Sequence, residues 1–141
     1  MRALPPVLVV LLATAPALAD VDWFKTPSGN IDCTVGIGDG LPSDIECTIF
    51  ERSGPPAMPR LARCNDALGH QFSMRERGTV TVKCGQPGSR PASPLPGDNV
   101  MRYGDTGKFG GIVCRSTKSG LECRNANGHG FSLSRRRQSV Y

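Results

Sequence analysis

The chain has few aromatic side chains: one tryptophan, two tyrosines and five phenylalanines in 141 residues. A core built from so few rings is small, and a domain with a small core needs covalent support. Long apolar runs are missing too. The uninterrupted run Val7 to Leu12 is far shorter than the roughly 20 residues a membrane-spanning helix needs. Beyond residue 19 no segment sustains a 3.6-residue apolar period without a glycine or proline, which argues against α-helices. Only two histidines occur, and no C-x-x-C pair, so the usual zinc spacings are absent and no metal or other cofactor is expected. No glycine-rich loop stands between a strand pattern and a helix pattern, which removes the nucleotide-phosphate fingerprints. Few aromatics interleave with the basic residues, so base stacking on nucleic acid is not expected.

What is present begins with an address. Arg2, the run Val7 to Leu12 and the small-x-small Ala17-Leu18-Ala19 form the pattern of a secretory signal peptide over residues 1–19. No twin arginine precedes the run. No cysteine follows the cleavage site, which argues against a lipid anchor on cysteine. The expected product starts at Asp20, spans no membrane, and is periplasmic or extracellular. Its length, residues 20–141, suits one domain.

All six cysteines lie in that product, and an even count in a small exported chain reads as a disulfide framework. Six cysteines allow fifteen pairings. Proximity along hairpins favours Cys33–Cys47, Cys64–Cys84 and Cys114–Cys123, each stabilising by roughly 2–3 kcal/mol through the unfolded chain.

Strand signals explain the hairpins. Ile31, Cys33 and Val35 alternate with polar residues, as do Ile45, Cys47 and Ile49, so each cysteine falls on an apolar face. Thr79 to Cys84 is β-branched and alternating. Val100 to Gly104 and Lys108 to Arg115 read as further strands, Leu121 and Cys123 return on the side of Ile112 and Cys114, and His129, Phe131 and Leu133 alternate again. Asp20 to Lys25 reads as an edge strand, and the tail from Ser134 to Tyr141 is ambiguous. Many short strands separated by turn residues predict an all-β, disulfide-stabilised sandwich or small barrel.

The chain also repeats itself. Cys64 begins CNDALGHQFSMRER and Cys123 begins CRNANGHGFSLSRR. Without a gap, Cys64/Cys123, Ala67/Ala126, Gly69/Gly128, His70/His129, Phe72/Phe131, Ser73/Ser132 and Arg77/Arg136 are identical. Two related halves are expected, about 20–84 and 99–141, joined by a Pro/Gly-rich loop over 85–98. Charge divides the chain as well. Asp20 to Arg60 carries seven acidic and three basic residues, and Leu61 to Tyr141 carries five acidic and thirteen basic. Such asymmetry can attract acidic polymers.

Several pieces together resemble a family of small exported bacterial proteins built around one uncharacterised domain. They are Phe24 to Cys33 (F-x-T-P-S-G-N-I-x-C), Tyr103-Gly104, Phe109 to Cys114, Gly120 to Asn125, and Gly128 to Arg135. The chain departs from its relatives at Asp66-Ala67-Leu68-Gly69, where they tend to carry an acidic-Trp-Gly run. The resemblance implies a signal peptide and about six cysteines. It implies no activity.

Candidate chemistry is thin. A catalytic reading makes His129 a general base, Ser132 or Ser134 a nucleophile, and Gly128 and Gly130 backbone donors. The odd spacing of His129 and Ser132 puts them on opposite faces of a strand, which argues against it. The plainer reading has both histidines capping strand ends. A metal held by His70, His129 and Asp66 or Asn125 requires the two repeats to face each other. Asp44 and Glu46 share a strand face, but a glycosidase needs two carboxyls across a cleft. Arg115, Arg124, His129 and the run Arg135, Arg136 and Arg137 form a candidate binding patch for an acidic envelope polymer. The reading adopted is a non-catalytic binding module with no catalytic residue assigned. The alternatives are a small envelope hydrolase using His129, or an inhibitor of an exported enzyme.

Overall fold

The computed structural model describes residues 20–38, 40–87 and 99–141. The leader expected over 1–19, and most of the connector expected over 85–98, lie outside the described residues.

Ten strands form two five-stranded antiparallel sheets, each a meander in which neighbours in sequence pair. The first sheet contains β1 (Asp20–Lys25), β2 (Ile31–Gly38), β3 (Leu41–Ile49), β4 (His70–Arg75) and β5 (Thr81–Cys84). The second contains β6 (Thr106–Phe109), β7 (Ile112–Thr117), β8 (Gly120–Arg124), β9 (Gly130–Leu133) and β10 (Gln138–Val140). The sheets pack face to face as a sandwich and do not close into a barrel. No α-helix occurs among the described residues. Two 3₁₀ turns, Pro59–Arg63 and Asp66–Leu68, lie between β3 and β4.

Period-two alternation drives the packing. One inward row of the first sheet runs Phe24, Cys33, Cys47, Phe72 and Val82, residues opposed in register on successive strands. The matching row of the second sheet runs Gly107, Cys114, Cys123, Phe131 and Val140. Both rows feed one apolar cluster. The disulfides Cys33–Cys47 and Cys114–Cys123 each join directly opposed residues with Cα atoms 4.1 Å apart. That spacing belongs to the closer, non-hydrogen-bonded pair of an antiparallel ladder. All four cysteines are fully buried. The third disulfide, Cys64–Cys84, fastens the segment between β3 and β4 to the end of β5. Arg60 supports that link, its guanidinium donating to the Val82 carbonyl at 2.6 Å.

The register revises the internal repeat. Phe72 and Phe131 hold the same place in their sheets, as do Met74 and Leu133. The counterpart of Cys123, however, is Cys47, because each is opposed to that phenylalanine. Cys64 lies in no strand. The physical reason is an excursion over residues 50–69 between β3 and β4, where the second sheet has only residues 125–129 between β8 and β9. The ungapped similarity therefore aligns real counterparts after the histidines and unrelated cysteines before them.

Three strand boundaries also differ from expectation. Of Val100 to Gly104 only Val100 pairs, bridging Lys25 in parallel. Lys108 to Arg115 is broken by Gly110-Gly111 into the ends of β6 and β7. Gly110 has φ 59°, which a turn there requires and other residues resist. The basic tail supplies β10.

Candidate functional site

The sandwich has two ends, and the strand directions assign each candidate residue to one of them. Arg124 ends β8 and pairs in register with Gly130 at the start of β9. Arg135, Arg136 and Arg137 form the β9–β10 turn, beyond Leu133 and therefore at the opposite end. Arg115 lies between, on the outer face of β7 opposite Glu122. The structure thus does not gather the expected patch into one place.

At the first end, Arg124 is occupied. Its guanidinium lies 5.2 Å from the Tyr141 ring centroid and 3.5 Å from Glu122, and the Tyr141 hydroxyl donates to Glu122 at 3.1 Å. Burial raises the Tyr141 phenol above its ordinary pKa. His129 is half-buried in the adjoining turn. Its backbone N–H donates to Asn125 Oδ1 at 3.1 Å, and its carbonyl accepts from the Asn125 N–H at 2.8 Å. Among the described residues no hydrogen bond joins His129 to Ser132 or Ser134, and Ser134 Oγ is committed to the Arg137 carbonyl.

The two histidines do not meet. His70 opens β4, whereas the turn carrying His129 is tied to the far end of that strand, Asn125 Nδ2 donating to the Arg75 and Gly78 carbonyls. Six extended residues separate those ends by on the order of 15 Å. Among the described residues no three His, Cys, Asp or Glu side chains are grouped to hold a metal.

The second end collects the remaining cations. The arginine turn is rigid, with Ser134 and Arg137 bonding each other N–H to carbonyl at 2.8 and 3.2 Å. It is docked on the segment after β3: Ser53 N–H donates to the Arg135 carbonyl at 2.9 Å. A side chain at Gly54 would begin 2.0 Å from the Arg136 carbonyl, so only glycine permits this approach. Arg135 pairs with Glu51. The Glu51 backbone is in turn clasped by Asn30, which accepts from its N–H at 2.7 Å and donates to its carbonyl at 2.9 Å. Arg136 and Arg137 are exposed and carry no ion pair among the described residues.

Two hollows lie at this end: Arg135 itself lines the smaller, and Ser53 and Gly54, on which the turn is docked, line the larger. The smaller, about 210 Å³, is lined by Thr26, Ser28, Asn30, Tyr103, Lys118, Gly120 and Ser134 among others. Four of the five segments that carry the family resemblance contribute to it. The larger, about 560 Å³, lies under the β3–β4 excursion and includes Phe50, Arg52, Leu61, Asp66, Ala67 and His70. His70 is only 3% exposed, and neither ring nitrogen makes a well-formed hydrogen bond. Burial pushes its imidazole below the ordinary histidine range; the Arg52 guanidinium acts the same way, opposed by Asp66 and the Leu61 backbone. A neutral imidazole offers one donor and one acceptor. Arg52 donates to the Ile49 and Phe50 carbonyls at 3.1 and 2.6 Å and to Asp66 at 3.2 Å. Among the described residues no hydrogen bond joins His70 to Ser53, the hydroxyl-bearing residue in this lining.

A third hollow, about 470 Å³, sits on the outer face of the first sheet and includes Asp44, Glu46, Ser73, Arg75 and Arg77. Its carboxylates are engaged: Glu46 accepts from Gln71 and Ser73 and lies 3.7 Å from Lys83, and Asp44 accepts from the Gly36 N–H at 3.1 Å.

Sequence reasoning missed Arg52, Asn30 and Tyr103. Tyr103 and Asn30 stood inside the resembling motifs, but nothing along the chain marks Arg52, whose role depends on the excursion folding over it.

No helix among the described residues is long and apolar enough to cross a membrane. Comparisons with curated proteins and with solved structures return no match. Residues 3–141 match the family described as a family of unknown function, DUF6636, and the chain belongs to that family.

Proposed function

We propose that this is an exported, non-catalytic binding module, periplasmic or extracellular, that holds an acidic envelope component at the arginine-turn end of the sandwich. The observation that carries this reading is the turn itself. It presents three consecutive guanidinium groups on a hydrogen-bonded loop anchored to Ser53, with one ion partner among the described residues, Glu51. Lys118 in the β7–β8 turn extends the same end, and Arg115 on the outer face of β7 borders it. Arginine forks suit carboxylate and phosphate groups, and a rigid turn loses little freedom on binding. Three disulfides support an oxidising compartment. Arg124 and His129 lie at the other end and are not part of this surface.

The test is co-sedimentation of the oxidised protein with isolated envelope fractions over a salt series, beside the Arg135→Ala/Arg136→Ala/Arg137→Ala variant. The reading expects salt-sensitive pelleting with one fraction, lost in the variant while its melting temperature holds. No pelleting at low salt, or equal pelleting of the variant, overturns it.

A further inference from the structure

Independently of that polymer surface, we infer that the hollow under the β3–β4 excursion is a binding site for a small organic carboxylate with a short apolar body. Four observations converge. First, the hollow, about 560 Å³, is of ligand size. Second, His70 lines it while almost fully buried, and apart from the nearby Leu61 backbone neither ring nitrogen has a polar partner among the described residues, with no well-formed hydrogen bond at either. A buried polar group without a partner costs stability, and such a group in a native fold calls for an occupant that satisfies it.

Third, Arg52 is a charge held in place with a replaceable counter-ion. Its guanidinium is fastened from behind by the Ile49 and Phe50 carbonyls, and its side chain is only 8% exposed. Its partner Asp66 is 94% exposed, and an exposed carboxylate is weakly held and screened by salt. An incoming carboxylate that reaches Arg52 from the hollow exchanges for Asp66 and keeps the buried cation neutralised. Fourth, Phe50, Leu61 and Ala67 in the lining give a short apolar body a surface to cover. A neutral His70 then donates its one ring N–H to the ligand's carboxylate without adding charge.

The experiment titrates hexanoate, hexanol and inorganic phosphate into the oxidised protein, watching the His70 ring and the Ala67 amide by NMR. The same titrations are run on Asp66→Asn and His70→Leu. Hexanoate should give saturable shifts at both reporters, and hexanol and phosphate should bind at least about tenfold more weakly. Asp66→Asn removes the competing carboxylate from an exposed position, so hexanoate should bind about three- to tenfold more tightly without loss of fold. His70→Leu should weaken hexanoate about fivefold or more. Equal binding of hexanol or of phosphate overturns the inference, and so does unchanged or weaker hexanoate binding in Asp66→Asn. Silence at both reporters in the parent protein and in Asp66→Asn overturns it as well. None of these results bears on envelope sedimentation, so the two readings fail separately.

Discussion

Phe72 and Phe131 hold the same register position in the two sheets, each opposed to a disulfide cysteine, and their rings meet across the sandwich at 5.8 Å and 44°. Both are fully buried. They are one of the contacts through which the two sheets rest on each other, beside the stacked rings of Phe24 and Phe109 at 5.7 Å. Phe72→Ala and Phe131→Ala should each cost about 3–5 kcal/mol. The double variant should cost clearly less than the sum, because the second truncation removes no ring contact that the first left intact. Urea unfolding of the oxidised proteins measures this. Strict additivity would show that the two rings stabilise their own sheets separately.

Asn125 should matter more than its place in a turn suggests. It is 6% exposed, donates to the Arg75 and Gly78 carbonyls at 3.0 and 2.8 Å, and accepts from the Asn127 and His129 N–H groups at 3.0 and 3.1 Å. Asn125→Ala should destabilise by roughly 2–3 kcal/mol. Asn125→Asp should cost at least as much near neutral pH, since a carboxylate would face two carbonyl oxygens. Thermal melts of both variants decide it; a harmless Asn125→Asp would show that the bridge to β4 is dispensable.

The three disulfides should differ in accessibility. Cys33, Cys47, Cys114 and Cys123 are fully buried, whereas Cys64 is half-buried and Cys84 exposed. Thiol–disulfide exchange needs a path for the attacking thiolate. Mild reductant under native conditions should open Cys64–Cys84 first, read by alkylation and peptide mass. Earlier alkylation of any core cysteine would contradict the packing described above.

His70 makes stability depend on pH in one direction. Unfolded, it titrates near 6.5; folded, burial and Arg52 hold it lower, while Asp66 partly offsets them. Above about pH 6.5 both states leave it neutral and its contribution is fully present. As pH falls below that value the unfolded chain takes up the proton first, and stability declines down to the folded pKa. Melting temperatures at about pH 7.5 and 5.5 should therefore diverge more in the parent protein than in His70→Gln. Equal divergence would assign the acid sensitivity to other groups.

The alternation of Ile31, Cys33 and Val35, and of Ile45, Cys47 and Ile49, was legible because a half-buried strand has period two and nothing interrupted it. Leu121 and Cys123 were legible for the same reason. Gly110-Gly111 was read through, since two glycines inside an apolar run look like a strand with gaps until the paired strands are seen. The arginines of the tail obscured β10, whose one buried side chain, Gln138, is polar. The candidate site was least legible. Arg135 to Arg137 announced themselves as a charge run, but their separation from Arg124 follows from strand direction. Arg52 and the buried state of His70 follow from an excursion held by a disulfide, and local pattern carries no trace of either.

Every disulfide joins a cysteine to the next one in the chain: Cys33 to Cys47, Cys64 to Cys84, Cys114 to Cys123. The order of synthesis is then also the order of correct oxidation. A chain threading out of a ribosome or a translocation pore exposes its thiols two at a time, and an oxidase that links each new thiol to the last unpaired one arrives at the native set. Such a protein can mature without a reshuffling enzyme, and its yield should track the supply of oxidant rather than of isomerase.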